Sequence, residues 1–257
     1  AHPAVVRIEN VENTGFGEAT NQGIRRALDD GAELVLCLNN DLVFEPGCVA
    51  ALVRLLEERP EVGVCGPRVL YKDRPDVVWA AGGELTFRQN LSRLVGQGEA
   101  DGPEFQRVRE IDYVPGCALL ARRAVFERAG YFDAAYFAYH EDVDFCLQAR
   151  EAGFGVVLKG DVAALHTSSA ATGGGYSARR KYMIGVNTVW FLRRHGTLGR
   201  WLSFTLFDVA SLPPLFLVEC LRGNGRAVLA KARGILDGLR GRRVTAASIE
   251  DGASRLW

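Results

Sequence analysis

The run Glu33-Leu34-Val35-Leu36-Cys37-Leu38 has the length of a strand, is apolar after its first residue, and stops at three polar residues, Asn39-Asn40-Asp41. A strand without polar alternation is buried on both faces, as a parallel strand inside an α/β sheet is. Its neighbours fit that frame. Residues 5–8 read as a short strand, 13–17 as a turn, and 18–28 as a helix ending near Asp29-Asp30-Gly31. Pro46 opens a second helix, residues 49–59 continue it with helical spacing, and 62–65 read as the next strand. Strand, helix, strand, helix, strand specifies an α/β fold, whose ligands bind beyond the carboxyl ends of the strands. Asn39-Asn40-Asp41 stands at such an end.

Farther along, residues 75–109 are rich in Gly, Gln and Arg and read as a surface loop or hairpin. Residues 113–120 read as a strand interrupted by a bend at Pro115-Gly116. Two helices, 123–129 and 141–152, are closed by Gly130 and Gly153. Residues 155–158 and 162–165 read as two short strands, with His166 just after the second, and Gly173-Gly174-Gly175 as a flexible stretch. From Ser177 the chain reads as helical, which divides it into an α/β domain over 1–176 and a helical region over 177–257.

The formal net charge is +0, which gives no bulk reason to expect nucleic acid as a partner. The six cysteines form no CxxC pair and read as buried free thiols in a reducing, cytoplasmic compartment. Ala1-His2-Pro3 opens no targeting segment, and the only methionine is Met183, so the expectation is a chain lacking an N-terminal piece. Residues 201–221 are strongly apolar but carry Asp208, Pro213-Pro214 and Glu219, breaks that a clean spanning helix does not contain. Three readings remain. The segment spans a membrane despite these breaks, the helices lie on a membrane surface with Arg222, Arg226, Lys231 and Arg233 facing anionic headgroups, or they pack on the α/β domain.

Three carboxylates crowd into Tyr139-His140-Glu141-Asp142-Val143-Asp144-Phe145-Cys146. Beside Phe137, Tyr139 and Phe145 they either face solvent or sit in a polar cleft, one of them acting as a base. Asn39-Asn40-Asp41 is either a cap or turn, or part of a site; His166 is either structural or a ligand. An Asp, an Asn and a His at matching strand ends suit Mn²⁺ or Mg²⁺ when phosphate oxygens complete the shell. Arg179-Arg180-Lys181 is a solvated basic face or a phosphate contact. No GxGxxG follows a strand, which argues against a dinucleotide oxidoreductase.

Taken in order, Asn13-Thr14-Gly15, Asn21-Gln22-Gly23, Leu38-Asn39-Asn40-Asp41, Val114-Pro115-Gly116-Cys117, Gly130-Tyr131-Phe132-Asp133, His140 to Cys146 and His166 resemble the family 2 glycosyltransferases of the GT-A fold. Within them the chain is most similar to the rhamnosyltransferase-like branch that builds bacterial surface polysaccharides. The resemblance implies a mixed sheet flanked by helices, lacking its N-terminal strands, with a helical appendage. It implies a nucleotide-diphosphate sugar donor, a glycan or lipid-linked acceptor, and a divalent cation. Asp142 is then the general base and Glu141 its helper, with Asp144 as structure. Asp41 and His166 hold the metal, Asn39 standing where the family has a carboxylate. Asn13, Gly15, Asn21, Gly23, Asn39, Asn40, Gly116 and Cys117 shape the donor site. The rival is a glycan- or nucleotide-sugar-binding remnant without catalysis, which the Asn39 replacement favours and an intact Asp142 and His166 oppose.

Overall fold

The computed structural model describes residues 5–88, 90–167 and 176–257. The glycine run 173–175 and the opening Ala1-His2-Pro3 lie outside the described residues. The chain begins with α1 (Gly15–Asp29), β1 (Leu34–Leu38), β2 (Leu42–Phe44), α2 (Cys48–Glu58), β3 (Val62–Tyr71) and β4 (Arg74–Ala80). A hairpin of β5 (Gly83–Leu85) and β6 (Ser92–Leu94) follows, then β7 (Val108–Glu110), β8 (Ala118–Arg122), α3 (Arg123–Ala129), α4 (Glu141–Glu151) and β9 (Gly155–His166). Helices α5 (Ala178–His195), α6 (Leu198–Phe204), α7 (Leu212–Leu221), α8 (Gly225–Leu239) and α9 (Ala246–Ile249) complete it.

Among the described residues seven strands form one mixed sheet in the order β1-β8-β3-β9-β2, with β4 on β3 and β7 on β9. Strands β3 and β9 are parallel, and the other pairings are antiparallel. Strand β1 is therefore not parallel: it pairs with β8 from Leu34↔Arg122 to Leu38↔Ala118. Its unbroken apolar character has another cause. Val35 and Cys37 enter the core on one face of the sheet, while Leu34 and Leu36 pack against the α2 cluster on the other.

Residues 5–8 are not a strand. They join no ladder, and Val5 and Val6 are exposed. Pro46 does not open α2 either; Gly47, at φ +81°, stands between it and the first helical residue, Cys48. The region 75–109 is more ordered than a loop, since it carries β4, the β5–β6 hairpin and β7. Strands β3 and β9 run longer than local sequence suggests. Gly66-Pro67 and Gly160-Asp161 look like stops, but the β3–β9 ladder passes through both by a register shift between Pro67 and Arg68. A bulge is where a sheet tolerates proline. The Arg68 guanidinium closes the gap by donating to the Gly160 carbonyl.

The length of β9 has a consequence for placement: it carries His166 to the edge where β2 begins. There His166 pairs with Leu42 on one side and with Tyr71 on the other. Helix α4 is held by Phe145, which is fully buried against Phe126 and Phe132 at ring distances of 5.4 and 4.9 Å. A buried phenylalanine contributes about 1.5–3 kcal/mol, so the helix bearing the carboxylate cluster is anchored one residue after Asp144. Three acids in its first turn also face the positive end of the helix dipole.

Candidate active site

Two polar groups converge at the ends of β1 and β9. Asp41 Oδ1 lies 3.2 Å from His166 Nε2. The two atoms are at hydrogen-bond distance but not aligned for one, and both are buried, as is His166 Nδ1. Trp79 stands edge-on to the imidazole at 4.6 Å. Burial lowers the pKa of His166, and Asp41 only partly offsets this. The ring is therefore neutral at physiological pH, the form that ligates metals. A carboxylate oxygen and an imidazole nitrogen, close together and without hydrogen-bond partners, fit as two ligands of a divalent cation. Among the described residues no group of three His, Cys, Asp or Glu could hold an ion, so the remaining ligands would come from phosphate oxygens and water.

The second half is built on α4. Asp142 Oδ2 accepts the Gly116 N–H at 2.9 Å, and Oδ1 accepts the N–H of Val143 at 2.8 Å. Gly116 has little room for more: a Cβ there would lie 3.4 Å from Asp142 Cβ and from the Phe16 ring. One residue on, the Cys117 carbonyl accepts the N–H of Asn39 at 3.0 Å. The bend at residues 115–117 thus stands between the Asn39–Asp41 triplet and Asp142 and holds both.

Burial raises the pKa of Asp142, opposed by the N–H groups of Gly116 and Val143. Glu141 is raised well above the ordinary range, first by burial and then by the Asp142 charge. Its Oε2 is buried without a partner. Unequal environments give adjacent carboxyls unequal roles: the less perturbed Asp142 is the one available as a carboxylate, while Glu141 resists ionisation. Asp144 is fully buried and accepts from Tyr136 Oη at 3.2 Å, Gln148 Nε2 at 2.5 Å and His195 Nε2 at 2.6 Å. It is a structural anchor.

Of the residues expected to shape the donor site, Asn39, Asn40, Gly116 and Cys117 lie at the junction of the two halves, with the Cys117 side chain buried. Asn13 and Gly15, at the start of α1, shape its entry turn. Asn13 Oδ1 accepts the Gly15 N–H at 3.0 Å, closing a turn. Gly15 adopts φ +83°, and a Cβ there would lie 2.6 Å from the Phe137 carbonyl oxygen, so only glycine fits. Gly23 is exposed in mid-helix with nothing near it. Asn21 is corrected from a donor contact to a tie: it donates to the Phe132 carbonyl at 2.8 Å and accepts the Phe132 N–H at 3.1 Å. Asn21→Ala would leave both backbone groups without partners, and chemical denaturation is expected to show a loss of about 1–3 kcal/mol. An unchanged midpoint would remove this tie from the account.

Four further residues belong here that local reading passed over: Trp79, Asn187, Thr188 and His195. Thr188 Oγ1 donates to the Ile184 carbonyl at 2.8 Å, so it accepts from His140 Nε2 at 3.1 Å. Burial pushes the His140 pKa down to about 3, so this ring too is neutral. The available signal was two polar residues, Asn187-Thr188, between the buried apolar pair Val186 and Val189.

A family model described as glycosyl transferase family 2 matches residues 2–128. The low-salt glycan biosynthesis hexosyltransferase Agl10 of Haloferax volcanii is 27% identical over 167 residues, covering 65% of this chain and 53% of that protein. The N-acetylglucosaminyl-diphospho-decaprenol L-rhamnosyltransferase of Mycobacterium tuberculosis is 27% identical over 191 residues, covering 67% of this chain and 62% of that protein. The chain thus spans between half and two thirds of the length of these relatives. The structure of the mannosyltransferase PcManGT from Pyrobaculum calidifontis, in complex with GDP-Man and Mn²⁺, superposes with a TM-score of 0.52 at 13% identity, covering 91% of this chain and 69% of that one. That likeness is one of fold, the GT-A arrangement of a mixed sheet flanked by helices.

Proposed function

Because the chain belongs to the family 2 glycosyltransferases, on their rhamnosyltransferase-like side, we propose that it moves a sugar from a nucleotide diphosphate to a hydroxyl of a glycan or lipid-linked acceptor, with inversion. The observation that carries this reading is the bend at residues 115–117. It hydrogen-bonds Asp142 through Gly116 and the Asn39–Asp41 triplet through Cys117, setting an acceptor-side carboxylate beside a candidate metal pair.

In the proposed reaction the acceptor oxygen bonds to the anomeric carbon as the bond from that carbon to the diphosphate oxygen breaks. The acceptor proton passes to Asp142, the general base. Asp41 and His166 would hold a divalent cation, Mn²⁺ or Mg²⁺, which neutralises charge on the diphosphate when bound. Diphosphate leaves without a general acid. Glu141, poorly ionised and buried, orients the loop rather than acting as a second catalytic carboxylate of the glycosidase kind. Asn39, Asn40 and the backbone of Gly116 and Cys117 border the donor. Rhamnose as the sugar, and cell-envelope polysaccharide as the product, are proposed from the named rhamnosyltransferase relative.

The test is acceptor-dependent release of nucleoside diphosphate from a panel of nucleotide sugars, nucleotide-activated rhamnose among them, offered with Mn²⁺ and with glycan and polyprenyl-linked acceptors. Release from at least one donor is expected; none across the panel sinks the proposal.

The lipid-linked acceptor gains support from the stretch Leu198–Leu221, proposed here as the membrane-facing part of the helical region over 177–257, whose first helix α5 packs on the α/β core. The stretch Leu198–Leu221 is long and apolar enough to cross a membrane by length and composition, yet only 17% of its apolar 18-residue window is buried. It is broken into α6, a π-helical turn over Thr205–Val209, and α7 with its prolines in the first turn. Its acids point inward: Asp208 pairs with buried Lys231, and Glu219 is capped by Arg222 and Asn224. Leu198, Leu202, Leu206, Leu217 and Leu221 remain exposed. A broken, one-sided apolar segment near Arg222 and Arg226 suits the surface of an anionic leaflet on the cytoplasmic side, where the six free thiols also fit. Co-sedimentation with anionic vesicles is expected for the parent, with weakening in salt and loss in Leu202→Glu/Leu206→Glu. Equal sedimentation of that variant would contradict this placement.

A further inference from the structure

The loop before α4 is strained. Phe137, Tyr139 and His140 have φ of +61°, +73° and +76°, a region that non-glycine residues rarely adopt. Such a path persists only where its surroundings over-determine it, and it delivers the chain directly into Glu141 and Asp142. What holds it can be read from its carbonyls. The carbonyl of Phe137 accepts the Phe16 N–H at the start of α1, at 2.6 Å. Those of Tyr136, Ala138 and Tyr139 all converge on one group, Asn187 Nδ2, each at 2.8 Å.

Asn187 lies in the middle of α5 and is completely buried. Its own Oδ1 is buried without a donor, so its amide nitrogen alone makes its contacts to the loop. Two N–H bonds shared among three carbonyls form a point clamp that neither an aliphatic nor a carboxylate side chain can reproduce. The next residue, Thr188, takes the His140 N–H, and His195 at the end of the helix takes Asp144. One helix, remote in sequence from the carboxylate cluster, therefore engages the loop before α4, the N-cap His140 and the buried anchor Asp144.

We infer that Asn187 is a positioning residue for the transfer reaction: it fixes the left-handed turn at residues 137–140 and thereby aims Asp142. This rests on the functional reading above, in which Asp142 is the base. Asn187→Leu keeps roughly the volume and removes the donors. Asn187→Asp keeps the shape and faces three carbonyl oxygens with acceptors, and Asn187→Ala serves if either fails to fold.

Hydrogen exchange and steady-state kinetics on each folded variant form the test. Peptides covering residues 136–142 are expected to exchange at least about tenfold faster while α5 and α8 keep their protection. For the folded fraction kcat is expected to fall about 10²-fold, the scale of a small misplacement of a reacting group, with donor KM nearly unchanged. Wild-type exchange in this loop overturns the inference, as does a lower Tm with kcat intact. If the parent transfers no sugar from any donor, the functional reading fails instead, and the exchange measurement still decides whether Asn187 holds the loop.

Discussion

Replacing Asp142 by Asn is expected to lower acceptor-dependent transfer by about 10²–10⁴-fold, the usual contribution of a positioned general base. Asn has nearly the same shape and keeps an oxygen for one of the two N–H donors, so donor binding and the fold should survive. A fall in kcat with donor KM retained is the expected signature, since the acceptor proton then has no base to receive it. The pH dependence has a defined sign. Asp142 must be ionised to act, and burial raises its pKa above the ordinary 3.8. Parent activity should therefore fall as pH drops through that raised value, giving an acid limb above the ordinary aspartate range. The Asn variant has no such group, and its residual rate should lack the limb. Turnover equal to the parent's would remove Asp142 as the base.

Asp41→Ala is expected to have the second largest effect. Asp41 supplies the carboxylate of the pair, and its Oδ1 makes no aligned hydrogen bond within the protein. Its loss should disturb the fold little. Stabilisation of a departing diphosphate by a cation is worth several kcal/mol, or about 10²–10³-fold in rate. A loss of that size is expected, together with weaker Mn²⁺ binding measured by titration of the variant without substrate. His166→Ala removes a neutral ligand and should weaken Mn²⁺ binding less. Unchanged Mn²⁺ affinity and unchanged turnover in Asp41→Ala would place the metal, and the diphosphate with it, elsewhere.

What could be read from the chain alone divides along a physical line. Helix α4 with its acidic first turn, and the helix stops at Gly130 and Gly153, were legible because they depend on neighbours within a few residues. The polar triplet after β1 was legible for the same reason, although the apolar run before it pointed to a parallel strand. Burial on two faces does not reveal strand direction, and β1 is antiparallel to β8. The continuity of β3 through Pro67 and of β9 through Gly160 was hidden, because a bulge needs two strands and each sequence shows only its own interruption. Asn21 looked like a ligand contact because an asparagine tied to the backbone of Phe132 is indistinguishable, in sequence, from one presented to a nucleotide. Asn187 was passed over for the opposite reason. Its partners lie about fifty positions upstream, and nothing in a helical pattern says which buried polar residue clamps a strained loop.

The central claim is a single displacement driven by one carboxylate base. The most direct measurement is the anomeric configuration of the product, read by proton NMR from a reaction started with a nucleotide sugar of known configuration. One displacement assisted by Asp142 predicts the opposite anomer in the glycoside. Retention of the donor's configuration would contradict the account, because it requires a second displacement or a different chemistry, for which Asp142 as sole base makes no provision.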